Sequence, residues 1–186
     1  MINKIFEEEE LEGVKKLEKG EYDNCTFDNC DFANSDFSNF VFVECIFKEC
    51  NLSGVKIRNT MFRDVEFVNC KMLGLQFDQC NHFLFSVGFD GCQLDHTSFY
   101  QVNLKGIHFR KSSLIDVEFA ECNLSKATFD EVELGRANFE ETNLEGCDFQ
   151  TAYGYSIDPV KNKMKNAVFS RMGLAGLLEK YNLKVK

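Results

Sequence analysis

Residues 108–149 read HFRKSSLIDVEFAECNLSKATFDEVELGRANFEETNLEGCDF. An apolar residue falls on every fifth position: Phe109, Leu114, Phe119, Leu124, Phe129, Leu134, Phe139, Leu144 and Phe149. Two places before most of them stands a small residue, such as Ser112, Cys122, Ala127, Ala137, Thr142 or Cys147. An α-helix turns about 100° per residue, so this beat would carry its apolar groups around the whole cylinder. In a flat strand side chains alternate, and an odd repeat would send successive Phe residues to opposite faces. What remains is a chain that turns a corner once per repeat. The apolar residue and the small one before it point inward, the residue between them points outward, and the next two make the corner.

The beat extends toward the N-terminus through Phe89, Leu94, Phe99 and Leu104, with Phe and Leu alternating without exception. An earlier tract, two residues out of phase, runs Tyr22, Phe27, Phe32, Phe37, Phe42, Phe47, Leu52, Ile57, Phe62, Phe67, Met72 and Phe77. Units that cannot bury a core alone must stack, the logic of a solenoid. Three sides per coil would place Phe on Leu. Four sides align Phe99, Phe119 and Phe139 in one column and Leu104, Leu124 and Leu144 in another; two sides satisfy the same parity. At the parallel-strand spacing, about six coils give a rod of roughly 30 Å.

Units such as CDFAN (Cys30 to Asn34), CNLSK (Cys122 to Lys126), ANFEE (Ala137 to Glu141) and TNLEG (Thr142 to Gly146) resemble the A(D/N)LXX unit of the pentapeptide-repeat proteins. The resemblance spans roughly two thirds of the chain and implies an all-β solenoid, a right-handed quadrilateral parallel β-helix. It is specific for fold and weakly specific for activity.

Between Phe77 and Phe89 the phase slips through CNHFLFSVG (Cys80 to Gly88), so residues 78–88 are expected to form a bulge, with Phe83 and Phe85 filling the junction. A small protruding partner contact is the other reading. Residues 1–20, with Glu7 to Glu10 and the Phe6, Leu11, Leu17 series, read as a lead-in that caps the open end. The repeat domain is assigned to 21–152, and it fails after Phe149, where Gly154 takes a core position. Residues 153–186 follow as a turn at Asp158 and Pro159, then a helix, then a short strand. Ser170 is placed as N-cap, and Leu174, Leu177, Leu178 and Tyr181 recur as one face of an α-helix of about three turns. Asn182 ends it, and Leu183 and Val185 alternate as a strand. With Phe169 and Leu183, this apolar face is the candidate plug of the last coil. The resemblance adds a dimer role, since in related proteins such a C-terminal helix joins two copies tail to tail.

The 186 residues include 20 Phe, no Trp and a single Pro. All nine cysteines (Cys25, Cys30, Cys45, Cys50, Cys70, Cys80, Cys92, Cys122, Cys147) sit two places before a core position or its equivalent, shared elsewhere with Ser35, Thr60, Val65 and Thr97. They therefore read as small buried hydrophobes, without disulfide or zinc spacing. Inward thiols, no signal-peptide core in MINKIFEEEE and no transmembrane run point to the cytoplasm.

No phosphate loop, nucleophile elbow or metal-binding helix is spelled out, and corners this short build no cleft, so no enzyme activity, cofactor or metal is expected. A net charge of −9, with Lys56, Arg58, Arg63, Lys105, Arg110 and Lys111 scattered over several sides, argues against direct nucleic-acid binding, and no membrane contact is expected. Carboxylates crowd the second tract. Glu118, Glu121, Glu140 and Glu141 map to the side of Phe119 and Phe139, and Asp130, Glu131 and Glu133 complete the candidate acidic partner face. This pattern suits a non-enzymatic interaction rod with an unidentified partner. The resemblance supplies a second expectation, from the quinolone-resistance and microcin-immunity branch: an acidic homodimer that mimics DNA toward DNA gyrase or topoisomerase IV. Larger projecting loops of that branch have no counterpart here beyond the slip.

Overall fold

The computed structural model describes residues 4–183. The chain winds as a four-sided parallel solenoid. One side is a nine-stranded sheet: Glu10–Glu12, Thr26–Asp28, Ile46–Lys48, Val65–Val68, Val87–Asp90, His108–Arg110, Thr128–Asp130, Asp148–Phe149 and Val168–Phe169. An adjoining side carries four strands, Lys4–Glu7, Gly20–Asp23, Val41–Val43 and Met61–Arg63, and continues as bridges from Asn103 to Asn123 to Asn143. Isolated bridges hold the other two sides, as from Asp31 to Asn51 to Lys71 and from Ser98 to Glu118 to Asn138. Parity alone had left two or four sides open; these separate ladders show four.

The core follows from the register. Phe109 lies over Phe129 at 5.2 Å, and Phe119 over Phe139 at 5.3 Å, with rings nearly parallel. The two Phe columns belong to opposite sides and meet edge to face across the centre, as for Phe109 and Phe119 at 5.9 Å and 72°. Each such aromatic pair adds about 0.5–1.5 kcal/mol beyond the area it buries. Leu columns fill the two remaining sides, with Leu114, Leu124, Leu134 and Leu144 fully buried.

The small inward residues do more than leave room. Thr60 Oγ1 donates to the Phe37 carbonyl and Thr142 Oγ1 to that of Phe119, both at 2.7 Å. Cys45, Cys50, Cys70, Cys122 and Cys147 direct their thiols in the same way at Tyr22, Phe27, Phe47, Phe99 and Leu124. A short side chain with one donor thus ties each layer to the core residue of the layer beneath. All nine cysteines are free and buried. Desolvation pushes the Cys45, Cys122 and Cys147 thiols up to about 12.

Corners are made by a residue of positive φ two places after the core residue. Asn24, Asn29, Asn34 and Asn39 occupy it in the early coils; Lys111, Asp116, Glu121, Lys126, Glu131, Arg136 and Glu141 do so later. Asn tolerates this left-handed region, whereas long side chains hold it against a local preference of about 1 kcal/mol.

The solenoid extends past both ends of the regular repeat. Lys4–Glu7 and Glu10–Glu12 already pair in register with Gly20–Asp23 and Thr26–Asp28, so the N-terminal lead-in is itself a coil, with Phe6 stacked on Tyr22 at 4.5 Å. Beyond Phe149 the solenoid continues: Asn143 bridges to Lys163, and Phe149 pairs with Phe169. Gly154, at φ +77, does leave its core position empty, and Tyr155 and Ile157 turn inward instead. About eight turns result, a rod of roughly 38 Å at the parallel spacing, longer than the expected six coils.

The expected α-helix is instead two 3₁₀ segments, Met172–Leu177 and Glu179–Tyr181. Gly173 and Gly176 interrupt the apolar series with the poorest non-proline helix former, and both sit directly against Tyr155. The Ile157 amide donates to the Gly176 carbonyl at 3.0 Å, which fastens the turns to the last coil. Ser170 Oγ accepts from the Gly173 amide at 3.0 Å, and Asn182, at φ 48, ends the second segment. Leu183 is not in a strand, and Val185 lies outside the described residues.

The slip makes the step from Phe67 to Phe89 longer than the regular one from Phe47 to Phe67 or Phe89 to Phe109. His82 comes to the place of a core residue but faces outward, its Nε2 3.0 Å from the Phe77 carbonyl oxygen. Phe85 turns in beside Phe77 at 6.1 Å, as expected. Phe83 does not fill the junction: it is 65% exposed at the tip of the bulge, next to Leu84.

Candidate partner-binding surface

Side chains on the outer skin stack with the layers. Glu118 and Asn138 are bridged neighbours, and the Asn138 amide donates to Glu118 Oε2 at 3.0 Å while the Ala120 amide donates to Oε1 at 2.7 Å. At the following corner the Glu121 amide donates to the Glu140 carbonyl, which sets Glu121 against the layer of Glu140 and Glu141. Glu118, Glu121, Glu140 and Glu141 therefore share one flank.

Neighbouring donors fix one carboxylate of that flank. Gln101 and Tyr100 donate to the Glu121 carboxylate at 2.7 and 2.9 Å and hold its carboxyl below the ordinary range. Arg136 is committed to Asp116 through a fork of 2.7 and 2.5 Å, leaving the flank without its charge. Lys161 pairs with Glu140 at 2.7 Å and is the one cation on a member of the set among the described residues.

The other three proposed acidic residues lie elsewhere. Asp130 is on the nine-stranded side, where it accepts from Thr151 Oγ1 at 3.0 Å and faces Arg110 at 3.9 Å. Glu131 makes the corner after it, and Glu133 belongs to the next ladder, between Ser113 and Tyr153. Sequence distance suggested one patch, but each five-residue step is a quarter turn.

The C-terminal end carries the other candidate set. Phe169 caps its column over Phe149 at 5.1 Å, and Leu177 packs against the core. Leu174, Leu178, Tyr181 and Leu183 are exposed, together with Val168 and a nearly bare Met172. Four of the six residues of the expected plug, Leu174, Leu178, Tyr181 and Leu183, face outward instead.

Comparison with known proteins gives consistent findings. The pentapeptide repeat region profile matches residues 21–83 and 82–153. No curated protein matches the chain. Among solved structures, a trypsin-treated, singly substituted form of QnrB1, described as a plasmid-mediated fluoroquinolone resistance protein, is similar with a TM-score of 0.65 at 19% identity, over 98% of this chain and 97% of that one. Full-length QnrB1 is similar with a TM-score of 0.57 at 17% identity, over 97% and 100%. At these identities the likeness is one of fold.

Proposed function

The chain belongs to the pentapeptide repeat family, and on that premise we propose that it is a non-enzymatic interaction rod that offers its acidic flank to a protein surface built to hold a polyanion. The observation that carries this reading is the stacking of Glu118, Glu121, Glu140 and Glu141 on one flank, with Arg136 withdrawn into its pair with Asp116. Stacked layers fix such charges at a regular spacing, as a duplex fixes its phosphates. The exposed apolar C-terminal end suits a second copy, since a self-complementary end closes a two-fold dimer and doubles the rod.

A second reading names the partner as DNA gyrase or topoisomerase IV. The fold likeness to QnrB1 spans nearly the whole of both chains, and acidity with a two-fold end is what a DNA-gripping dimeric enzyme would meet. The test is a supercoiling assay with purified gyrase, with and without a fluoroquinolone. Inhibition or protection that weakens steeply with added salt supports this partner; no effect at low salt rejects it and leaves the rod with another cationic partner.

A further inference from the structure

We propose that the cleft beside the phase slip binds an organic cation, a guanidinium or primary ammonium group carried on an apolar stem. The cleft has a volume of about 440 Å³, within the range of small-molecule sites, and lies between the bulged segment at Phe85 to Gly88 and the corner Asn103 to Ile107 of the next layer. The bulge holds these two segments apart. Gly88 stands in the outward ladder between Glu66 and the layer of His108, and the space its missing side chain leaves admits the Glu66 carboxylate to the cleft.

The charge in the cleft defines the ligand. Glu66 lies directly over Gly88, where a Cβ would collide with its carboxylate. Some outward residues elsewhere bond along their ladder, as Asn123 does to Asn103 and Asn143 to Asn123. Glu66 has no such donor among the described residues. Desolvation raises its carboxyl above the ordinary range, and Asp64 and Asp90 add to the rise against the opposing influence of His108. Glu66 is exposed on this side of the cleft, where a cationic donor can reach its carboxylate and form a charge-assisted hydrogen bond.

The surrounding groups narrow the choice. His108 is engaged through Nδ1 with Thr128 Oγ1 at 2.8 Å. Arg110 is held between Asp90 at 3.6 Å and Asp130 at 3.9 Å. Phe85, Val87 and Ile107 supply apolar wall for a stem. Lys105, on the rim, is the internal competitor for Glu66. The cation can come as a free small molecule or as a side chain of a partner protein, and the two are separable.

The experiment titrates the full chain calorimetrically with agmatine, a guanidinium on a short amine stem, and with a blocked Gly-Arg-Gly peptide. Saturable binding of either probe, weakened tenfold or more in Glu66→Gln and equal or tighter in Lys105→Ala, is expected. Tighter binding of the peptide identifies a partner's side chain as the source, and tighter binding of agmatine a free amine. Glu145→Gln removes the same charge outside the cleft and controls for general attraction to an acidic protein. Absence of saturable binding, or equal losses in Glu66→Gln and Glu145→Gln, would overturn the proposal.

Discussion

Thr142 and Thr97 occupy equivalent positions in different coils and have opposite energetics. Thr142 Oγ1 donates to the Phe119 carbonyl, whereas Thr97 Oγ1 is buried without a partner among the described residues. Replacing Thr142 by Val removes a buried hydrogen bond and is expected to cost about 1 kcal/mol. Thr97→Val deletes an unsatisfied hydroxyl and is expected to be neutral or stabilising. Urea denaturation of the two variants checks both signs, and equal losses would refute the donor role of these side chains. The position was legible in the sequence as a small-residue site, but its bond was not, because the acceptor lies in the layer below.

Glu66 gives the residue scale its pH dependence. Its folded carboxyl titrates above the unfolded value, so the folded state binds the proton more readily, and stability falls as pH rises through that window. At pH 7 the ionised group is a burden, and at pH 4 it is not. Glu66→Gln is therefore expected to raise the melting temperature at pH 7 and to leave it unchanged at pH 4. A lower melting temperature in the variant at pH 7 would contradict this reading.

Among the elements, the C-terminal cap shows best where spacing misleads. The series Leu174, Leu177, Leu178 and Tyr181 has the helical period, yet contact with Tyr155 selects 3₁₀ turns through Gly173 and Gly176. A Cβ at position 176 meets the Tyr155 backbone carbonyl, which cannot swing aside. Gly176→Ala is expected to lift the cap at a cost of about 1–3 kcal/mol, the usual range for overpacking. Limited proteolysis should then cut within residues 170–183 while the coils remain intact; a cap as resistant as in the unaltered chain would refute this docking. The bulge at 78–88 was legible from phase alone, but which of its two Phe residues turns inward depends on the vacancy left by His82. The cleft beside it depends on Gly88 lying between Glu66 and His108, which are far apart in sequence.

For the whole molecule, period five decided the coil and Phe–Leu alternation its layering, because every layer repeats one local rule. The ends were read too short, since the rule continues there with substitutes: Phe6 and Leu11 before the first tract, and Tyr155, Ile157 and Phe169 after the second. The acidic flank was legible where the quarter turn was counted, for Glu118, Glu121, Glu140 and Glu141, and not for Asp130, Glu131 and Glu133. A stacked rod turns a one-dimensional list of carboxylates into a fixed array, and that array is what the account asks a partner to recognise. The most direct measurement is the affinity of gyrase for the chain at low salt, with duplex DNA as competitor, before and after changing Glu118, Glu121, Glu140 and Glu141 together to Lys. With gyrase as the partner, the acidic flank predicts DNA-competed binding by the unaltered chain and its loss in the folded variant; binding with equal affinities for the two would contradict recognition through that flank.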